Sequence, residues 1–190
     1  YTEKHTFWRI MSRPFALFFI PLTIIFSRIF VIILIGIILA LFFTIDLLRI
    51  LLWKVENFFQ FEFFKNFRIF KEKEKGRVSS ITNFLLGIFL SFVLFDINIS
   101  FASLGFTSLG DMMAKWIGIN FGERKIFKSS KKTLEGSLGF LCASITCAFF
   151  LWYFNILPFY LVFIGAIIAS IVEAVPNPID DNFSVPIISG

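Results

Sequence analysis

From Pro14 to Phe43 the chain is apolar with a single charge, Arg28. A run of this length leaves no polar face to turn toward water, and it reads as bilayer-spanning. Composition agrees: 57% of the residues are hydrophobic and 30 are phenylalanine, well above the apolar share of an ordinary globular domain. The run is one long span or two short ones divided at Ser27-Arg28. Two are favoured, because that division keeps Arg9, Arg13, Arg49 and the later basic loops on one side. The first would be only about 20 Å long, short for a hydrocarbon core of ~30 Å.

Ile45 to Phe70 reads as an amphipathic helix lying in the membrane interface, or as a continuation of the second span. Leu48, Leu51, Val55, Phe59, Phe63 and Phe67 recur at spacings of three and four, with Arg49, Lys54, Gln60 and Arg68 mostly elsewhere on the wheel. The charged run KEKEKGR, ending at Arg77, is a solvated loop. Further spans are expected over Val78 to Phe95, Ile99 to Phe121, Thr133 to Phe154, and Pro158 to about Glu173. Within the fourth, Gly110, Ala114, Gly118 and Gly122 recur every four residues, a stripe that lets helices approach closely. The tail after Glu173 holds Pro176, Pro178 and Pro186 and is not expected to continue the helix. Its last residues turn apolar again, as at the opening of a further span.

The expected architecture is an all-α, multi-pass integral membrane protein. One domain over residues 1–190 would hold about six transmembrane helices plus an amphipathic interfacial helix. The net charge of +5 gathers in loops beside apolar runs, which points to membrane orientation rather than to nucleic acid. The N-terminus, both basic loops and the acidic tail then share the cytosolic face, and of 18 basic residues only Arg28 clearly falls opposite. Cys142 and Cys147 lie on different faces of one helix and read as buried small hydrophobes. A lone histidine, His5, argues against a histidine-rich metal centre.

The chemistry concentrates between Gly110 and Gly139. Asp111 lies about a turn and a half inside the cytosolic end of the fourth span, where an ionisable group is costly and usually functional. It reads as a Mg²⁺ ligand, Lys115 being the plain ion-pair alternative one turn on. Lys131 and Lys132, with Lys128 behind them, lead into the start of the fifth span. Free N–H groups there would make a phosphate cradle, with Gly136, Ser137 and Gly139 keeping it accessible. A membrane flank is the plain alternative. Glu135 is a catalytic candidate or a simple first-turn acid. Glu173, Asp180, Asp181 and Asn182 form an acidic patch that completes metal binding, accepts a proton, or is only a solvated turn. There is no GxxxxGK[ST] loop and no kinase HRD or DFG set, so a nucleotide enzyme here must use another arrangement.

Over Asp46 to Pro186 the sequence resembles the CTP-dependent lipid kinases: the dolichol and polyprenol kinases, phytol kinases and CTP-type diacylglycerol kinases. Their GDxxAxxxG…FG pattern is met by Gly110, Asp111, Ala114, Gly118, Phe121 and Gly122. Their KKSLEGSLG-type segment is met by Lys131 to Gly139, with Thr133 in place of the serine. The EKEKGRxSxxTxFLLG loop is met by Glu72–Gly87, and the E…DNxxVP tail by Glu173, Asp181, Asn182, Val185 and Pro186. Three positions depart. Arg13 stands four residues after Arg9 where the family often has a histidine, Lys115 fills a usually small position, and Ile119-Asn120 replaces a basic pair.

The resemblance implies transfer of the CTP γ-phosphate to the hydroxyl of a membrane lipid alcohol of polyprenol, dolichol or diacylglycerol type, giving a lipid phosphate and CDP. It implies nucleotide contacts from Arg77, Gly122, Lys128, Lys131, Lys132, Thr133, Gly136 and Ser137. Asp111, Glu173 and Asp181 would hold Mg²⁺, and Asp111, Lys132, Glu135 and Asp181 would carry catalysis at the cytosolic face. A CTP:phosphatidate cytidylyltransferase has a related Gly-Asp and Lys-Lys segment and is the nearest alternative. A transporter or non-enzymatic membrane scaffold is the alternative from another class.

Overall fold

The computed structural model describes residues 13–52, 78–127, 132–176 and 179–190. A 3₁₀ turn, Arg13–Phe18, runs into α1 (Phe19–Ile25). There follow α2 (Arg28–Leu52), α3 (Ser80–Leu94), α4 (Ile97–Phe121), α5 (Leu134–Tyr153), α6 (Phe159–Ala174) and α7 (Asp181–Ile188). Among the described residues there is no named strand, only an isolated antiparallel bridge between Lys125 and Thr133. The all-helical expectation holds.

The helix break expected at Ser27-Arg28 is present, and Arg28 has a specific task. Its Nε and Nη2 donate to Phe92 O at 3.0 and 2.7 Å, and Nη2 also donates to Phe95 O at 2.5 Å. These carbonyls close the end of α3, where no further helical N–H arrives to meet them. The lone charge of the long apolar run thus satisfies another helix's terminus. Arg28→Leu is expected to lower unfolding stability by about 1–3 kcal/mol, read as a drop in melting temperature in detergent. An unchanged melting temperature would contradict this role.

Two helices, Arg28–Leu51 and Leu134–Tyr153, are long and apolar enough to cross a membrane. The helices α3 and α6, of 15 and 16 residues, span only about 22–24 Å at 1.5 Å per residue. The surface of α2 has the polarity of a lipid-facing helix. Ile29, Ile33, Ile37, Leu41, Leu48 and Leu51 follow helical spacing and are all more than half exposed. On its other side Val31 and Ile35 are fully buried with Phe84, Ile88 and Phe92 of α3. An apolar outer stripe of this extent is expected against lipid or a partner, not against water. The helix continues through Ile45 to Leu52 without a break, in line with the continuation of the second span; residues 53–70 of the expected segment lie outside the described residues.

At the centre stands α4, whose buried face is polar and largely paired, Ser108 Oγ being the exception among the described residues. Ser103 and Ser91 hydroxyls meet at 2.6 Å, Ser100 donates to Ser91 O at 2.9 Å, and Thr107 donates to Ser103 O at 2.7 Å. Its glycines set its distance from α5. A Cβ on Gly110 would lie 2.6–2.8 Å from the Phe140 ring, and one on Gly136 would lie 2.9 Å from Ala114 O. The stripe read from the sequence is therefore a packing seam. Gly136→Ala drives a methyl into the α4 backbone and is expected to destabilise by about 1–3 kcal/mol, despite alanine's better helix propensity. Thermal unfolding checks this, and a more stable variant would contradict it.

One expectation needs correction: Cys142 is exposed and Cys147 partly buried, so they are not both core residues. The tail does not continue α6, as expected, and its last residues form a separate short helix, α7, with Pro186 inside it. Asp180 starts this helix anew, its Oδ1 accepting from the Asn182 N–H at 3.0 Å. The Pro186 ring sits over Gly87, where a Cβ would come within 2.7 Å of it.

Candidate functional site

Asp111 sits ten residues before the last residue of α4, roughly 15 Å deep at 1.5 Å per residue rather than a turn and a half. Its Oδ2 is 2.7 Å from Lys115 Nζ and 2.5 Å from Arg13 Nη1. The Lys115 pair is the one the helix spacing suggests. Arg13 is an addition to the expected site, being expected from the sequence as a cytosolic-side flank and a departure from the family pattern. Its Nη1 also donates to Asn182 Oδ1, its Nη2 lies 3.4 Å from Ser80 Oγ, and its guanidinium lies 5.8 Å from the Phe84 ring centroid. One side chain thus joins the 3₁₀ turn to α3, α4 and α7.

Lys132 holds a second cluster. Its Nζ is 2.8 Å from Asp181 Oδ2 and 4.0 Å from Glu173 Oε1, and it donates to the Glu173 carbonyl. Ser137 Oγ donates to Glu173 Oε2 at 2.9 Å. The fifth helix is thereby clamped to the acidic tail, bringing together Lys132, Ser137, Glu173 and Asp181. Burial pushes the Asp181 carboxyl above its ordinary range, while Lys132 pulls it back. The negative charges of Asp180 and Asp111 add to the upward push. Asp181 Oδ1 is buried with no hydrogen-bond partner among the described residues.

The start of α5 is less open than its sequence suggests. The Leu134 N–H donates to Arg124 O at 2.8 Å, and the Gly136 N–H to Thr133 Oγ1 at 3.2 Å. Those two donors are spoken for. Gly136 and Gly139 do not keep the helix start accessible; Cβ atoms there would press on Ala114 O and on Ile117 of α4. Gly122 similarly makes room for Thr133, whose Oγ1 would lie 2.7 Å from its Cβ. Glu135 accepts from the Glu123 and Arg124 N–H groups at 3.2–3.3 Å, folding the loop back onto its helix. Lys128, Lys131 and Arg77 lie outside the described residues.

Asp46 is not among the site residues expected from the sequence. It is 1% exposed, and its Oδ2 accepts from the Ser79 N–H and Thr82 Oγ1, each at 2.7 Å. Its Oδ1 lies 3.0 Å from Arg49 Nη2, an ion pair not aligned as a hydrogen bond. Asp46 ties the end of α2 to the start of α3, next to the Ser80 that meets Arg13.

Among the described residues no three acidic, histidine or cysteine side chains converge where they would hold a metal ion. Asp111, Glu173 and Asp181 are arranged as ion-pair partners, not as a preformed cage.

No protein-family profile matches the chain. A protein of Rickettsia prowazekii (strain Madrid E), described as uncharacterized, is 28% identical over 195 residues, covering 98% of this chain and 90% of its own length. No solved structure matches.

Proposed function

We propose that this chain is a CTP-dependent lipid kinase, and that its shorter helices cross the membrane together with α2 and α5. In this multi-pass arrangement the N-terminus, basic loops and acidic tail face the cytosol. One observation carries the functional reading: Arg13, paired with Asp111 on α4, also donates to Asn182, the residue after the Asp181 that pairs with Lys132 at the mouth of α5. These are the two segments on which the family resemblance rests.

Phosphoryl transfer asks mainly for positioning and charge neutralisation. Lys132, with Lys131 and Lys128, grips the triphosphate. A lipid alcohol enters sideways from the bilayer, its hydroxyl level with Asp111. The hydroxyl oxygen bonds to the γ-phosphorus as the bond to the bridging oxygen breaks, CDP leaves, and a carboxylate of the site accepts the hydroxyl proton. Mg²⁺ bound on the phosphates needs only one or two protein carboxylates, and the unpartnered Asp181 Oδ1 fits that demand, with Asp111 and Glu173 beside it. The ion would supply neutralisation of phosphate charge.

The test uses purified protein, Mg²⁺, and CTP labelled at either the α- or the γ-phosphate, with polyprenol, phytol, diacylglycerol and phosphatidate. A γ-label appearing in lipid, with CDP released, is expected. An α-label in lipid with pyrophosphate would make the protein a cytidylyltransferase, and no CTP binding at all would favour a transporter or scaffold.

A further inference from the structure

We infer that Arg13 is a ligand of the nucleotide's terminal phosphate, held on Asp111 until the triphosphate arrives; the inference rests on the kinase reading above. Asp111 Oδ2 is contacted by two cations, Arg13 at 2.5 Å and Lys115 at 2.7 Å, so one carboxylate charge is divided between them. Among the described residues Arg13 also meets two neutral oxygens, Asn182 Oδ1 and Ser80 Oγ. A guanidinium so placed gains from exchanging half a carboxylate for a doubly charged phosphate with three acceptor oxygens. Its planar fork suits bidentate phosphate contacts in a way an ammonium does not.

Position supports the exchange. Arg13 is 13% exposed and reaches the one carboxylate that lies within α4, while its Nη1 also donates to Asn182 Oδ1. Arg13 and Lys132 therefore meet consecutive residues at the start of α7, Asn182 and Asp181. Lys132 suits the inner phosphates near the loop, and Arg13 the end of the chain that faces the lipid hydroxyl. On this basis a triphosphate is recognised by its last phosphate, not only by its total charge.

Affinities of the purified full chain for CTP and CDP, with Mg²⁺, test this. Arg13→Gln should weaken CTP roughly 10- to 100-fold, the worth of a lost charged hydrogen bond, while CDP changes by less than about 3-fold. Arg13→Lys should fall between, because it keeps charge but loses the fork. A purely structural Arg13 weakens both nucleotides equally and overturns the inference. If Arg13→Gln does not fold, Arg13→Lys decides alone: a wild-type CTP-to-CDP ratio overturns the inference and a lowered one supports it. Wild-type protein that binds CTP while the variants keep its ratio leaves the kinase reading standing without Arg13. Wild-type protein that binds no CTP removes both.

Discussion

Asp111→Asn should lower phosphoryl transfer by about 100- to 1,000-fold while the protein stays folded. The substitution keeps the side chain's shape and removes its charge. Arg13 and Lys115 then face a neutral amide. Water screens the cost at Lys115, 36% exposed, and Arg13, 13% exposed, keeps Asn182 and Ser80 as partners, whereas nothing replaces the charge lost at the reacting end. Measuring kcat alongside melting temperature separates the two. If Asp111 serves only its ion pairs, the melting temperature falls and activity per folded molecule is unchanged.

The largest expected effect on stability lies away from that site. Asp46→Ala should cost roughly 3–5 kcal/mol, because it removes the carboxylate beside Arg49 and leaves the Ser79 N–H and Thr82 hydroxyl without their acceptor in a buried position. For a chain of this size that corresponds to a melting temperature lower by on the order of 10 °C. Asp46→Asn should lose less, since the amide oxygen still accepts from Ser79. Because Ser79 caps α3 and Ser80 meets Arg13, weaker nucleotide binding should accompany the loss. Equal melting temperatures for Asp46→Ala and the parent protein would show the contact to be incidental.

What the sequence made legible follows from what is periodic or local. The helices from Val78 onward lie within a few residues of their expected bounds, because apolar runs between turn residues leave few alternatives. The glycine stripe pointed to a seam, since close packing of α4 and α5 demands small residues at a helical repeat. The Asp111–Lys115 pair was readable from a spacing of four. Arg13 and Asp46 were not readable as site residues, because each finds its partners on elements distant in sequence. Helix α7 is not legible as a separate element, because the three prolines argue only that the preceding helix stops, while the Asp180 cap and the space over Gly87 are visible only in three dimensions. The cradle at α5 was over-read for a similar reason: its N–H groups meet Arg124 O and Thr133 Oγ1, acceptors that no helix-start pattern reveals.

The most direct measurement is a double-mutant cycle on CTP affinity, using Asp111→Asn, Lys132→Ala and the pair together. If both side chains grip one nucleotide, the two losses are not additive, and the coupling reaches roughly 0.5–3 kcal/mol. Strictly additive losses, or variants that bind CTP as tightly as the parent chain, would contradict the shared site.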